Sequence, residues 1–300
     1  MVVNPAIRIG VSGWRYPPWR GRFYPKGLPQ RAELEYAARC FASIEINGSF
    51  YSLQTPRSWQ AWYEATPDDF VFAVKGPRYI THMLRLKQVE KPLANFFASG
   101  IFKLREKLGP ILWQLPSNFA FDAERLARFL ALLPRNLNDA GALARKRDTF
   151  MRGRVALSIG ANHTMRYALE VRNESFNDPR FVRLLREHGV ALVIAETARR
   201  WPMLQDVTAD FVYLRLHGDK KLYRSGYSDK ALVCWAERIK LWSRGGEPSD
   251  AVKADPRAKA VRKPRAVYCY FDNTDEKLRA PADAKCLMKK LGSWPQVADV

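Results

Sequence analysis

Glu170 and Arg172 stand two residues apart in the stretch 167–176, YALEVRNESF. In an extended strand that spacing puts both on one face, with Leu169 and Val171 on the other. A carboxylate and a guanidinium turned toward the centre of a sheet or barrel are costly to bury unless they pair or work. The design recurs. Glu45 and Asn47 alternate with Ile44 and Ile46, and Tyr213, Arg215 and His217 alternate with Leu214 and Leu216. Other strand ends offer Ser12, Lys75, Gln114, Glu196 and Asn273, or Asp272 if the register lies one residue earlier.

Such a set can do acid/base chemistry. Glu45 and Glu170 can divide the roles of acid and base if burial separates their pKa values. Arg172, Arg215 or Lys75 would neutralise a substrate anion or a developing oxyanion. His217 is the proton carrier suited to neutral pH. Asn47, Gln114 and Asn273 add polar contacts, and Trp14 and Tyr227 add aromatic ones. Trp19, Phe23 and Phe50 read instead as loop packing. The competing reading is an internal ion-pair network of Arg8, Arg172 and Arg215 with Glu45 and Glu170. A divalent metal could sit among Glu45, Glu170, Glu196 and His217, with His82 nearby. Against it stand only four histidines and no HxH or HExxH spacing. His188 fits a helix cap, and His163 falls in an exposed basic stretch. No cofactor is specified.

These side chains need strands to hold them. Strands are expected at 7–11, 43–46, 70–74, 111–114, 168–171, 191–195, 210–216 and 266–271. Helices are expected at 31–41, 56–65, 123–133, 178–187, 232–242 and 282–291. A long helix or a pair of helices should fill 89–108. Asp122 and Asp229 suit helix caps, and Gly109-Pro110 should end the segment before the fourth strand. Residues 197–208 do not read as a helix. Eight strands alternating with helices imply a closed parallel (β/α)8 barrel, α/β in class, as one unit over 1–300. No GxGxxG follows the first strand, which argues against a dinucleotide-binding fold.

The chain carries a net charge of +20. Arg135, Arg145, Lys146, Arg147, Arg152, Arg154 and Arg166 against Asp139 and Asp148 give the stretch 135–166 a net +5. Residues 244–265 hold seven Lys or Arg against Glu247, Asp250 and Asp255, a net +4. Both read as basic insertions, either mobile solvated loops or a surface for nucleic acid. No apolar stretch is long enough for a membrane span and no signal-peptide layout opens the chain. Cys40, Cys234, Cys269 and Cys286 form no CxxC pair and read as buried thiols of a cytoplasmic protein.

The motifs carry a resemblance. GVSGWRYPPWRGRFYP (10–25), SIEINGSFYSL (43–53), FVFAVKGPRYITH (70–82), KLGPILWQLP (107–116), YALEVRNESF, TADFVYLRLHG (208–218) and YCYFDNT (268–274) occur in order over nearly the whole chain. The set resembles the YecE-like family, also called domain of unknown function seventy-two. The resemblance implies a TIM-type barrel and no settled activity. The chain departs from the family pattern at the two basic insertions, at Glu196, where the family has Asp, and at Asp272-Asn273, where it has an Asn-Asn-like pair.

Two functions remain open. One is an enzyme acting by acid/base or hydrolytic chemistry on a small polar, anionic substrate containing phosphate, sugar or nucleotide, at the C-terminal barrel mouth. Lys220, Lys221 and Arg224 would serve a phosphate there. The other is a non-catalytic protein that binds nucleic acid or another polyanion through its insertions.

Overall fold

In a computed structural model describing residues 6–274 and 278–292, eight parallel strands close into a barrel in sequence order. They are β1 (Ile7–Ser12), β2 (Ser43–Ile46), β3 (Val71–Lys75), β4 (Leu108–Gln114), β5 (Tyr167–Glu170), β6 (Ala191–Glu196), β7 (Phe211–Leu216) and β8 (Ala266–Phe271). β1 closes the barrel against β8, with Val11 opposite Phe271, and pairs on its other side with β2, with Ser12 opposite Glu45. The expected unit of 1–300 runs past the described residues at both ends.

Alternation divides each strand between two cores. Ile9, Val11, Ile44, Ile46, Phe72, Val74, Ile111, Trp113, Leu169, Leu192, Ile194, Leu214, Leu216 and Cys269 face the helical coat. Trp113 shows how tightly they fit. Its ring meets Phe96 of helix Glu90–Ala98 and Phe129 of helix Ala123–Leu132, both edge-on, at 5.8 and 5.3 Å. Inside the barrel lies a separate layer of Ala73, Leu112, Ala168, Ala191, Val193, Ala195, Phe211, Tyr213, Tyr268 and Tyr270. Four alanines leave room for the large rings, so the barrel is filled beneath its C-terminal end.

The helices start where local chemistry supplies a cap. Asp122 Oδ1 accepts from Arg125 N at 3.0 Å, and Thr55 Oγ1 accepts from Ser58 N at 3.1 Å ahead of Pro56. The cap of helix Asp229–Ser243 is Ser228, one residue before the expected Asp229. The segment 89–108 is a pair: helix Glu90–Ala98, then Gly100 at φ 102°, then a 3₁₀ segment Ile101–Lys107. Gly109-Pro110 lies within β4, not before it. A Cβ at Gly109 would stand 2.8 Å from the Phe72 carbonyl oxygen, so glycine permits the close strand approach at the register shift between β3 and β4. Residues 197–210 hold no helix.

The two basic insertions both lead into a strand, β5 and β8, so they reach the barrel at its N-terminal end. They are packed, not loose. The first contains helix Leu137–Ala144 and is tied to helix Glu90–Ala98 by Asn95 Nδ2 to Asp148 Oδ2 at 2.9 Å. The second is pinned by Asp206, which accepts from Ala254 N at 2.8 Å and Asp255 N at 3.1 Å. The four cysteines are free, but the expected burial holds for Cys269 alone: Cys40 and Cys286 are half-buried and Cys234 is exposed. Among the described residues no helix is long and apolar enough to cross a membrane.

Candidate functional site

Seven strands and their first following residues aim polar groups at the C-terminal end of the barrel. Arg215 of β7 is their hub. Its Nη1 donates to Glu170 Oε2 at 2.7 Å, its Nη2 to Glu45 Oε1 at 2.8 Å and to Asp272 Oδ2 at 3.0 Å, and its Nε to Glu45 Oε2 at 3.1 Å. Tyr213 OH donates to Glu45 Oε2 at 2.6 Å, and Ser12 Oγ donates to Glu45 Oε1. Asn47 Nδ2 donates to Ser12 Oγ at 2.8 Å. Gln114 Nε2 donates to Glu170 Oε2 at 2.9 Å, and Arg172 Nε to Glu170 Oε1 at 2.7 Å.

His217 lies directly beyond Arg215. Its Nδ1 is 3.0 Å from Asp272 Oδ2, off the direction of a well-formed hydrogen bond, and its Nε2 is 4.0 Å from Glu170 Oε1. Burial, then Arg215, keeps the imidazole below the ordinary histidine range, and Asp272 opposes that shift only in part. Burial pushes the Glu170 carboxyl upward, but Arg172 and Arg215 overcome it and hold the group well below the usual carboxylate range. Asp272 is likewise held low, by Arg215 and His217 against its burial. Lys75 moves the other way: burial, then Arg215, lowers its ammonium to about 8.

The expected open cup is in fact roofed. Ser12, Glu45, Glu170, Arg215 and His217 are wholly buried. Arg172 lies over Glu170, 4.1 Å from the ring centre of Trp201, and donates to Tyr223 OH at 3.1 Å. Tyr223 meets His217 edge-on at 5.2 Å and holds a left-handed φ of 61°, a strained backbone for a tyrosine. Tyr16 closes another side, donating to the Ser12 carbonyl at 2.5 Å. Solvent reaches the cluster at its edges, where the side chains of Arg172 and Asp272 are 14% and 15% exposed.

The sequence-derived residues thus divide. Glu45, Asn47, Lys75, Gln114, Glu170, Arg172, Arg215 and His217 come together. Trp14 does not: its ring is buried edge-on against Trp62 at 5.4 Å, because Gly13, at φ 80°, turns the chain out of strand parity. Asn273 points outward and donates to Asp283 Oδ2 at 2.8 Å; Asp272 occupies the inward position. Tyr227 fastens the loop after β7, with its OH accepting from Gly218 N and its own N–H directed at Asp283 Oδ2. Glu196 has outward parity, since Ala191, Val193 and Ala195 face in, and it accepts from Ala198 N at 3.1 Å. The set expected to hold a metal therefore does not assemble, and no group of three or more metal-ligating side chains occurs among the described residues.

The remaining expectations also find places. Arg8 is no part of the network; it donates to the Asp69 carbonyl at 2.8 Å toward the N-terminal end. Trp19 and Phe23 are packing residues. His188 stands at a helix end and receives Arg135, whereas His163 is half-buried rather than exposed. Lys220, Lys221 and Arg224 are on the surface. Residues 275–277 of the loop after β8 lie outside the described residues. Sequence reasoning left Asp272 as an alternative and did not find the Trp201 and Tyr223 roof.

The profile of the family described as "Protein of unknown function DUF72" matches residues 8–299. The chain belongs to that family. The UPF0759 protein YecE of Escherichia coli K12 is 27% identical over 244 residues, covering 81% of this chain and 84% of YecE. The UPF0759 protein YunF of Bacillus subtilis is 29% identical over 126 residues, covering 40% and 44%. Among solved structures, a DUF72 family protein of Thermotoga maritima aligns with a TM-score of 0.71 at 24% identity, covering 95% of this chain and 99% of that one. Another, from Enterococcus faecalis, aligns with a TM-score of 0.68 at 18% identity, covering 98% and 100%. Those two likenesses concern the DUF72 fold alone.

Proposed function

We propose that the chain is an enzyme that moves protons on a small polar, anionic substrate at the C-terminal end of the barrel. The observation that carries this reading is the buried His217, flanked by Asp272 at 3.0 Å on Nδ1 and, on Nε2, by Arg215 Nη1 at 3.5 Å and Glu170 at 4.0 Å. A neutral imidazole whose far nitrogen faces a carboxylate is steered toward one tautomer and can accept a proton at Nε2. Glu170 is too acidic, beside two guanidiniums, to serve as the acid; its role is electrostatic, holding Arg172 and Arg215 in place. Arg172, at the solvent edge, would meet the substrate's anionic group.

The test pairs the wild-type protein with His217→Asn against phosphate esters, sugar phosphates and nucleotides. Turnover of one of these by the wild type should fall roughly 10²–10⁴-fold in the variant while the fold is retained. A variant that turns over at the wild-type rate sinks the reading.

A second reading, polyanion binding, is supported by exposed Arg257, Lys259, Arg262 and Lys263 in one insertion. Lys263 also lines a cleft of about 750 Å³ with Arg8, Arg166 and Arg265. Anisotropy of a labelled oligonucleotide should then rise at low salt and collapse as salt is added. No rise even at low salt removes this reading.

A further inference from the structure

Lys75 ends β3 on the inward face, within the same charged cluster, and acts on Glu170 and Asp272 through charge but not through contact. Arg172 and Arg215 each grip carboxylates. Lys75 Nζ makes no hydrogen bond or ion pair to a described residue; it lies over the Phe50 ring at 4.1 Å. The side chain is nearly buried, at 8% exposure. Phe50 separates it from a cleft of about 580 Å³ that Tyr51, Tyr79 and Phe150 also line. A buried amine without an acceptor is the arrangement that favours a free lone pair over an ammonium. The lowering of Lys75 to about 8 agrees with it.

Guanidiniums stand near enough to meet a negative group on whatever arrives. His82, edge-on to Phe50 at 5.1 Å, is pushed down to about 4 by burial and then by Lys75, Arg172 and Arg78. Arg172 and Arg78 are thus the guanidiniums on this side of the cluster, and Glu170, Glu45 and Asp272 the carboxylates that act on Lys75.

The geometry points to Lys75 as a nucleophile that forms an imine with a small carbonyl compound bearing a carboxylate or phosphate. The Nζ lone pair attacks the carbonyl carbon, and the π pair moves to oxygen, which takes a proton from solvent. The nitrogen releases one proton to solvent to give the neutral carbinolamine, whose hydroxyl takes a proton from solvent and leaves as water while the nitrogen lone pair forms the C=N bond of a protonated imine. This assignment deepens the proposed function, because it rests on the substrate entering the same site.

The experiment treats the full chain at pH 7.5 with pyruvate or acetone and sodium cyanoborohydride, which reduces any imine to a stable secondary amine, and maps the modified lysines by peptide mass spectrometry. Pyruvate should label Lys75 roughly tenfold or more above exposed lysines such as Lys87 and Lys259. Acetone should label it far less. Labelling of Lys75 at or below the level of the exposed lysines overturns the assignment, and equal labelling by acetone overturns its anionic half. Trace acylation of the wild type across pH gives an independent reading: half-maximal reactivity of Lys75 near pH 8 is expected, and a midpoint above 10 overturns it. Thermal stabilisation by inorganic phosphate separates the two ideas. A wild type stabilised by phosphate but not labelled at Lys75 keeps the binding site and loses only the imine.

Discussion

Arg215 spans Glu45 and Glu170, with one guanidinium nitrogen 2.8 Å from the first carboxylate and another 2.7 Å from the second, and all three side chains are wholly buried. Strands β2, β5 and β7 are thereby tied across the barrel axis by one side chain. Removing it would leave buried Glu45 without its guanidinium and Glu170 with Arg172 alone. Arg215→Met should lower unfolding stability by about 3–5 kcal/mol. Denaturant titration checks this. A near-wild-type midpoint would mean that the carboxylates find other partners.

The same network sets the acid limb of stability. His217, Glu170 and Asp272 all have lowered pKa values in the folded chain, so the unfolded chain takes up their protons first. Stability is fully present above the unfolded values. It should begin to fall as pH drops below about 6.5 for His217, and fall more steeply below about 4.5 as the carboxylates join. His217→Asn should flatten the upper part of the curve and Glu170→Gln the lower part. Urea midpoints measured between pH 7 and pH 3 give both slopes, and an unchanged lower slope in Glu170→Gln would contradict the depressed carboxyl.

Gly10 supports the barrel from a different direction. A Cβ there would stand 1.8 Å from the Ser43 carbonyl oxygen, a backbone atom that cannot swing aside. Gly10→Ala should therefore cost about 3 kcal/mol, at the upper end for overpacking, through separation of β1 from β2. Thermal melting reads the loss. Substitution at Gly21, which meets nothing within 4 Å, differs in kind, since only its left-handed φ of 69° resists a side chain.

Asp206 holds the second insertion by two backbone bonds to Ala254 and Asp255. Asp206→Ala should speed amide hydrogen exchange at those two residues while leaving Glu170, Arg215 and His217 in place. Exchange mass spectrometry over 250–258 would show it. Protection equal to wild type would mean that packing alone fixes the loop.

The inward residues were readable wherever a strand contrasts polar with apolar. Glu45 between Ile44 and Ile46, Glu170 between Leu169 and Val171, and Arg215 between Leu214 and Leu216 leave one phase only. The phase fails where both faces are apolar. In β8, Tyr268 and Tyr270 face in while Val267, Cys269 and Phe271 face out, so Asp272 and Asn273 could be exchanged. In β6 the inward residues are Ala191, Val193 and Ala195, which look no different from their outward neighbours, and Glu196 fell on the wrong side. The roof was unreadable for another reason. Trp201 and Tyr223 come from irregular loops, and the left-handed φ of Ala198, Arg199 and Tyr223 has no signature in those residue types.

Tyr213 and Tyr270, packed side by side at 5.2 Å beneath the charges, plug the barrel axis. The charged cluster above them is therefore cut off from the N-terminal end of the barrel and meets solvent at Arg172 and Asp272. Under the proposed function, whatever reaches the cluster would have to part Arg172 from Tyr223, so the loosening of that contact, more than the reaction itself, would set how long each visitor stays.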